Sequence, residues 1–120
     1  MIVAGFGFRA RATQDSLTNA LAKTGAHPTH LATVQAKANH PALRALAAQL
    51  KTPIVAVQPA VLAEQSTQTQ SLASLAAHQT GSVSEAAALA AAEPGAQLIA
   101  ARAISDDTYA TCAIATGDPT

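Results

Sequence analysis

The sequence predicts an α/β fold, a three-layer α/β/α sandwich around a mixed sheet of about five strands, mostly parallel with a C-terminal antiparallel hairpin. Short apolar segments alternate with amphipathic helical segments, as when right-handed crossovers place helices on both faces of a sheet. The strand segments are almost continuously apolar, which is typical of strands covered on both faces. The last two flank a polar turn of hairpin length. A chain of 120 residues suits one core, so residues 1–120 are predicted to form a single domain.

The first half of the chain contains three strands and two helices. The β-branched and apolar run MIVAGFGF, residues 1–8, ends in glycines, as a buried strand entering a loop does. Thr13 begins a helix that Gly25 ends, and the second strand covers residues 31–36. After KANHP, a leucine and alanine stripe at i, i+3, i+4 and i+7 predicts the second helix, and PIVAV, residues 53–57, is the third strand.

The second half adds two helices and the hairpin. Pro59 begins a short helix, and the polar tract at residues 66–71 is predicted to be a surface loop. Ser82, with Glu85 three residues later, forms a capping box ahead of an alanine-rich helix that Pro94-Gly95 ends. The strands QLIAARAI and YATCAIA then flank the turn SDDT, which predicts that they are antiparallel.

Composition and charge exclude several classes of protein. Seven basic and seven acidic residues cancel, so the broad positive field that drives nucleic-acid binding is absent. The single Cys112 excludes an internal disulfide, and His27, His30 and His78 share no metal-ligand spacing, so neither a metal nor a cofactor is predicted. No apolar run approaches the roughly 20 residues of a membrane span. The N-terminus lacks the features of a signal peptide, which predicts a cytoplasmic protein with no membrane partner.

Glycines and arginines follow the first strand in GFGFRARAT. Because ligands gather beyond the carboxyl ends of parallel strands, we expect this segment, KANHP after the second strand and the loop before the third helical region to lie together. Gly5 and Gly7 permit close backbone approach. The helix start at Thr13 places unpaired N–H groups near Arg9, which favours an anion site.

Two other interpretations of this segment were weighed. It matches the dinucleotide pattern G-x-G-x-x-A, but Gln35 stands where a dinucleotide-binding strand carries an acidic residue, which disfavours nucleotide binding. In the other interpretation the glycines only turn the chain, and Arg9 and Arg11 are solvated. The sequence leaves this last interpretation open.

Four further polar residues each have two interpretations. Lys37 ends an apolar strand, where a lone buried cation is costly, so it either binds a ligand or forms an ion pair. His40 is a general base or a helix-start residue. Glu85 acts on a substrate or completes the capping box. Arg102 is an edge residue whose charged head reaches solvent, or a third cation of the site.

Four segments, taken in order, resemble the family formed by the cobalamin-biosynthesis protein CobE and the C-terminal domain of CbiG. They are VAGFGFRARAT, LATVQAKANHPALRALAAQLKTPIVAV, TGSVSEAAALAAAEPGAQLIAARA and YATCAIA, and they span nearly the whole chain. Gly81 and Val83 match the family pattern, as do the seven residues that we predict to bind the ligand. These seven are Gly5, Gly7, Arg9, Thr13, Lys37, Ser82 and Glu85.

The resemblance implies a role in the corrin-ring pathway to vitamin B12, near the ring-contraction stages. In the anaerobic relative, the cobalt-precorrin 5A hydrolase, the reaction opens a lactone on the cobalt-containing macrocycle and releases a two-carbon aldehyde. This chain departs from the pattern twice. Phe8 stands where many relatives have a cysteine, which excludes a thiol nucleophile there. Asn39 and His40 stand where acidic residues are common, which weakens the case for a carboxylate base.

The predicted function is therefore binding of an anionic precorrin or cobalt-precorrin by an accessory or carrier protein. Rings bearing several acetate and propionate arms need scattered cations and helix N-termini, and Arg9, Lys37 and the helix start at Ser82 supply them. The first alternative is a hydrolase that opens the ring lactone, with Arg9 or Lys37 stabilising the oxyanion. The second is a non-catalytic partner of another corrin-pathway enzyme, docking through the alanine-rich face at residues 86–92.

Overall fold

The computed structural model describes residues 1–65 and 82–117, which contain a five-stranded sheet with helices on both faces. The predicted loop at residues 66–71 lies outside the described residues. The strands are β1 (Ile2–Phe8), β2 (His30–Val34), β3 (Ile54–Val57), β4 (Gln97–Ile104) and β5 (Ala110–Thr116). The helices are α1 (Gln14–Thr24), α2 (Pro41–Leu50), α3 (Pro59–Ala63) and α4 (Val83–Ala92), and a short 3-10 turn, Gln35–Lys37, follows β2.

The strand order is β3-β2-β1-β5-β4. β1, β2 and β3 are parallel to one another, whereas β5 is antiparallel to both β1 and β4. Four of the five strands therefore point in the same direction, and only β5 runs the other way. As a result, the carboxyl ends of β1, β2 and β4 meet at the edge of the sheet where β5 begins. We call this the carboxyl edge.

Two apolar clusters hold the layers together, one on each face of the sheet. Phe6, Leu17 and Leu43 are fully buried in the cluster that joins α1 and α2 to the sheet. Leu62 and Val3 belong to the cluster under α3 and α4. The predicted three-layer fold with a mixed sheet and a C-terminal hairpin is confirmed.

Helix α4 packs directly on β1 because Gly5 has no side chain. A Cβ atom built on Gly5 would lie 2.1 Å from the Ser84 carbonyl oxygen and 2.5 Å from the Ala88 nitrogen. Both are backbone atoms of the helix and cannot rotate away. The fully buried Ala87 and Ala88 complete this close contact, so the small residues of the two elements set their separation.

The helix ends agree with the capping signals in the sequence. The Thr13 hydroxyl accepts a hydrogen bond from the Ser16 N–H, and the Ser16 hydroxyl accepts one from the Thr13 N–H, which makes a reciprocal capping box. Gly25 ends α1 in the left-handed conformation at φ 70°. At α4, the Ser82 hydroxyl accepts a hydrogen bond from the Glu85 N–H, which is one half of the predicted capping box, and the Glu85 carboxylate accepts a hydrogen bond from the Arg102 N–H of β4.

Two expectations from the sequence change in the structure. β2 ends at Val34 rather than at residue 36, so Lys37 lies in the 3-10 turn after the strand. The alanine-rich face proposed for docking is not free, because Ala86, Ala88 and Ala92 are fully buried against the sheet of the same chain. None of the helices in the described parts of the chain has the length and apolar character that a membrane span requires.

Candidate ligand-binding cleft

A cleft of about 510 Å³ lies at the carboxyl edge of the sheet. The ends of β1, β2 and β4, the start of β5 and the first turn of α4 all contribute to its walls. Its volume falls within the range of small-molecule sites, about 300–1,000 Å³. The position agrees with the rule that ligands of parallel sheets bind beyond the carboxyl ends of the strands.

Three cationic side chains line this cleft. Arg9 follows β1, Lys37 follows β2 and Arg102 lies near the end of β4, so each comes from a different strand. Within residues 1–65 and 82–117, no acidic residue lines the cleft and no salt bridge pairs any of the three cations. The cleft is therefore positively charged although the whole chain is neutral.

Lys37 joins the ends of β2 and β1. Its Nζ atom donates a hydrogen bond to the carbonyl oxygen of Phe8 and lies 5.2 Å from the centroid of the Phe8 ring. Partial burial lowers the pKa of the Lys37 amine, and the nearby positive charge of Arg9 lowers it further. An anion bound between Arg9 and Lys37 would offset both effects.

His40 holds the loop between β1 and α1 against the start of α2. Its Nδ1 atom accepts a hydrogen bond from the Ala42 N–H, so the neutral ring carries its proton on Nε2, which lies 2.9 Å from the Ala10 carbonyl oxygen. The ring also contacts the edge of Phe8, with centroids 5.1 Å apart. Both nitrogens are engaged, so His40 has the helix-start role that the sequence favoured over that of a general base.

The opposite wall of the cleft is formed where α4 begins. Val83 faces Gly7 there, and a Cβ atom on Gly7 would lie 3.2 Å from the Val83 Cβ and 3.5 Å from the Ser84 nitrogen. Thr111 of β5 donates a hydrogen bond to the Gly7 carbonyl oxygen at 3.1 Å. Gly7 therefore leaves room between β1 and the helix start that a larger residue would fill.

The turn between β4 and β5 completes the cleft with Thr108 and Tyr109. Asp107 holds this turn, because its carboxylate accepts hydrogen bonds from the Ser105 hydroxyl at 2.6 Å, the Ser16 hydroxyl at 2.5 Å and the Tyr109 N–H at 3.0 Å. The bonds from Ser105 and Ser16 are the main reason that the pKa of the Asp107 carboxyl lies below its ordinary value. The turn is thus tied to α1.

Comparison with known proteins decides the family. A family model described as "Cobalamin synthesis G C-terminus" matches residues 2–115. The chain belongs to this family of cobalamin biosynthesis proteins. No curated protein matches the sequence in a direct comparison.

Solved structures of cobalamin biosynthesis proteins have the same fold as this family member. The crystal structure of CobE, a protein of the cobalamin pathway, is 34% identical with a TM-score of 0.85, covering 96% of this chain and 89% of that chain. The cobalamin biosynthesis protein chiG from Agrobacterium tumefaciens is also 34% identical, with a TM-score of 0.75, covering 99% of this chain and 100% of that chain. A cobalamin biosynthesis protein G homolog from Sulfolobus solfataricus is similar in fold alone. Its identity is 15% and its TM-score is 0.72, and the match covers 98% of this chain and 37% of that chain.

The structure brings together four of the seven residues for which the family resemblance implied a ligand role. Gly7, Arg9, Lys37 and Ser82 line the cleft. The other three do not: Gly5 lies beneath α4, Thr13 caps α1, and Glu85 is fully buried in α4. Of the remaining positions that match the family pattern, Val83 lines the cleft and Gly81 lies outside the described residues.

Sequence reasoning did not single out four polar residues of the cleft: Thr33 of β2, and Thr108, Tyr109 and Thr111 at the hairpin. The hairpin itself was predicted from the sequence. If its first strand, β4, runs parallel to β1, then the turn that follows β4 must lie at the carboxyl edge. The missing information was the position of β5 beside β1. Arg11 is exposed and is not a lining residue.

Two of the three histidines considered as metal ligands, His27 and His30, lie in the described parts of the chain. These parts contain no group of three or more His, Cys, Asp or Glu side chains that could hold an ion. Cys112 is fully buried, and burial raises the pKa of its thiol. His78 lies outside the described residues.

Proposed function

We propose that the protein binds an anionic intermediate of the corrin pathway in the cleft, as an accessory or carrier protein of cobalamin biosynthesis. The observation that carries this proposal is that Arg9 and Lys37, from the ends of two different strands, line one cleft together with the start of α4. Membership of the cobalamin family supplies the pathway.

The chemistry of the cleft suits a ring with several carboxylate arms. Cations on separate strand ends can each meet a different arm, and a charge-assisted hydrogen bond of this kind is stronger than a neutral one. The apolar Phe8, Val34 and Val83 lie among the cations in the lining and can contact the body of the ring. An open cleft with mixed walls fits a large planar ligand better than a small inorganic anion.

Absorbance titration with a coloured precorrin or cobalt-precorrin tests the proposal. We expect a saturable spectral shift, and we expect Arg9→Ala and Lys37→Ala each to weaken binding by about tenfold or more, because each removes a charged donor contributing about 1.5–3 kcal/mol. Arg11→Ala is the matched control, since Arg11 is exposed and lies outside the lining. Equal affinity in all four proteins would contradict the proposal.

Opening of a ring lactone is the second candidate, and it is favoured by Lys37, which lines the cleft beside Arg9 and has a pKa below its ordinary value because of burial and the charge of Arg9. Water would add to the lactone carbonyl, the ester C–O bond would break, and Arg9 or Lys37 would stabilise the oxyanion. The reaction also needs a group that accepts the proton of the attacking water; if Lys37 takes that role, Arg9 is the cation that stabilises the oxyanion. Mass spectrometry of the incubated ligand separates the two functions, because hydrolysis adds the mass of one water before any fragment leaves, whereas binding alone leaves the ligand unchanged.

A further inference from the structure

We infer that the β4–β5 hairpin carries a second anion subsite in the cleft, built on Arg102 with the hydroxyl groups of Thr108 and Tyr109, so that the ligand must present two separate anionic groups. This inference rests on the proposed function and names what the ligand must carry. It adds Arg102 as a binding residue and Glu85 as the residue that positions it.

The strands that carry Arg102 and the Arg9–Lys37 pair are separated across the sheet. The order β2-β1-β5-β4 places β4 two strands from β1 and three strands from β2. Neighbouring strands lie about 4.8 Å apart, so the lateral separation is about 10 Å between β4 and β1 and about 14 Å between β4 and β2. Arg9 and Lys37 are on neighbouring strand ends, whereas Arg102 approaches from the far side of β5.

Glu85 holds β4 in place at the position of Arg102. The pairing of β4 with β5 is irregular between Ala100 and Ala103, and within this interval the Arg102 N–H donates a hydrogen bond to Glu85 Oε2 at 2.8 Å. Glu85 is fully buried in α4 and does not line the cleft. Its carboxylate therefore holds the Arg102 backbone through this hydrogen bond without lining the cleft itself.

Asp107 holds the backbone of the turn by hydrogen bonds, as Glu85 holds the backbone of β4. It accepts hydrogen bonds from Ser16, Ser105 and the Tyr109 N–H, and it is not among the lining residues. Glu85 and Asp107 thus hold the backbone of the hairpin, and neither of them lines the cleft.

The positive charge of Arg102 on the hairpin side of the cleft favours an anionic ligand group there. Arg102 is half-buried, and the described residues supply it with no salt bridge. A partly desolvated cation without a partner is unfavourable, and a carboxylate arm of a ligand would remove that cost. Thr108 and Tyr109 add hydroxyl donors on the same side of the cleft.

Titration with uroporphyrin, an octacarboxylate porphyrin, tests the second subsite through Arg9→Gln, Arg102→Gln and the double variant. We expect each single change to weaken binding by about tenfold or more, and the double change to weaken it by about the product, because separate contacts are additive. Arg102→Lys should recover part of the loss, and Arg44→Gln, at an exposed position on α2, is the matched control.

Each other outcome overturns something specific. If Arg9→Gln weakens binding and Arg102→Gln does not, the second subsite is wrong and the proposed function stands. If both weaken binding but the double variant loses no more than one of them, the two arginines hold a single group and the second subsite is again wrong. If the unaltered protein does not bind uroporphyrin, the second subsite is wrong, and the precorrin titration described above decides the proposed function separately.

Glu85→Gln and Glu85→Ala test the positioning role. The glutamine keeps an oxygen that can accept from the Arg102 N–H, so we expect affinity close to that of the unaltered protein, whereas the alanine should approach the affinity of Arg102→Gln. In the Arg102→Gln background, Glu85→Ala should have no further effect on affinity. If Glu85→Ala weakens binding equally in the unaltered protein and in the Arg102→Gln variant, the positioning role is wrong. If Glu85→Ala does not fold, the affinity of Glu85→Gln decides, and a loss of affinity in that variant would overturn the positioning role.

Discussion

The Nζ atom of Lys37 lies 5.2 Å from the centroid of the Phe8 ring and donates a hydrogen bond to the Phe8 carbonyl oxygen. This contact joins the carboxyl ends of β2 and β1 and holds a cation at the wall of the cleft. Partial burial of the amine, followed by the nearby positive charge of Arg9, lowers the pKa of Lys37. The same residue is therefore a structural link and the centre of the proposed anion site.

Lys37→Met should change how stability depends on pH. Because the folded-state pKa of Lys37 lies below the ordinary value of 10.5, the folded protein binds fewer protons than the unfolded chain between these two values, and its stability rises with pH there. The methionine variant loses this rise. Urea denaturation of both proteins at a series of alkaline pH values measures it, with Lys51→Met, at an exposed site outside the cleft, as the control. A stability difference that does not vary with pH would contradict the burial of this amine.

Asp107→Asn should remove stability at neutral pH, because the ionised carboxylate accepts three hydrogen bonds that hold the hairpin turn to α1. Its folded-state pKa lies below the ordinary 3.8, so its contribution is present above that value and is lost as the pH falls through the folded-state pKa. Denaturation of both proteins from neutral to acid pH should show the two curves converging.

The neighbouring Asp106 is the matched control for this measurement. Its carboxylate forms an exposed salt bridge with Lys23 at 2.7 Å. Exposed pairs contribute little and are screened by salt. Asp106→Asn should therefore have a smaller effect that disappears in high salt, and a larger effect than that of Asp107→Asn would mean that the turn is held differently.

Gly5→Ala should destabilise the fold strongly, because the new methyl group would lie 2.1 Å from the Ser84 carbonyl oxygen. The helix would have to move away from β1, at a cost of about 3 kcal/mol or more. Gly25→Ala is the control, since Gly25 has φ 70° and no atom within 4 Å of the new group, so only the backbone strain of about 1 kcal/mol applies. Chemical denaturation compares them, and similar losses would mean that α4 does not pack on β1 as described.

Thr13→Ala and Ser82→Ala should separate capping from ligand binding. Each hydroxyl caps a helix, so each change should lower the free energy of unfolding by about 1 kcal/mol. Only Ser82 lines the cleft, so we expect only Ser82→Ala to weaken binding of the tetrapyrrole. Denaturation measures the loss of stability and absorbance titration the loss of affinity in the same two proteins. A loss of affinity in Thr13→Ala would mean that Thr13 also contributes to the ligand site.

Local patterns in the sequence were sufficient for the elements and for the ends of α1 and the start of α4, whereas β2 ends two residues earlier than predicted. The hydroxyl of Thr13, the glycine at position 25 and the Ser82 cap act within a few residues along the chain, so a single segment contains both partners of each interaction. Alternation of apolar strands and helices then implied the layers, and parallel strands implied a shared carboxyl edge for Arg9 and Lys37.

The sequence by itself therefore determined the layers, the helix caps and the edge at which two cations meet, because each depends on local periodicity or on the direction of consecutive strands. Only the tertiary structure decided that β5 inserts beside β1, which brings Arg102 and Tyr109 to the same cleft. It also decided that the Ser16 hydroxyl meets Asp107 across 91 positions of the chain and that Glu85 meets the Arg102 backbone. A residue's distant partners are set by the packing of whole elements, and no short sequence pattern records which strand becomes the neighbour of which.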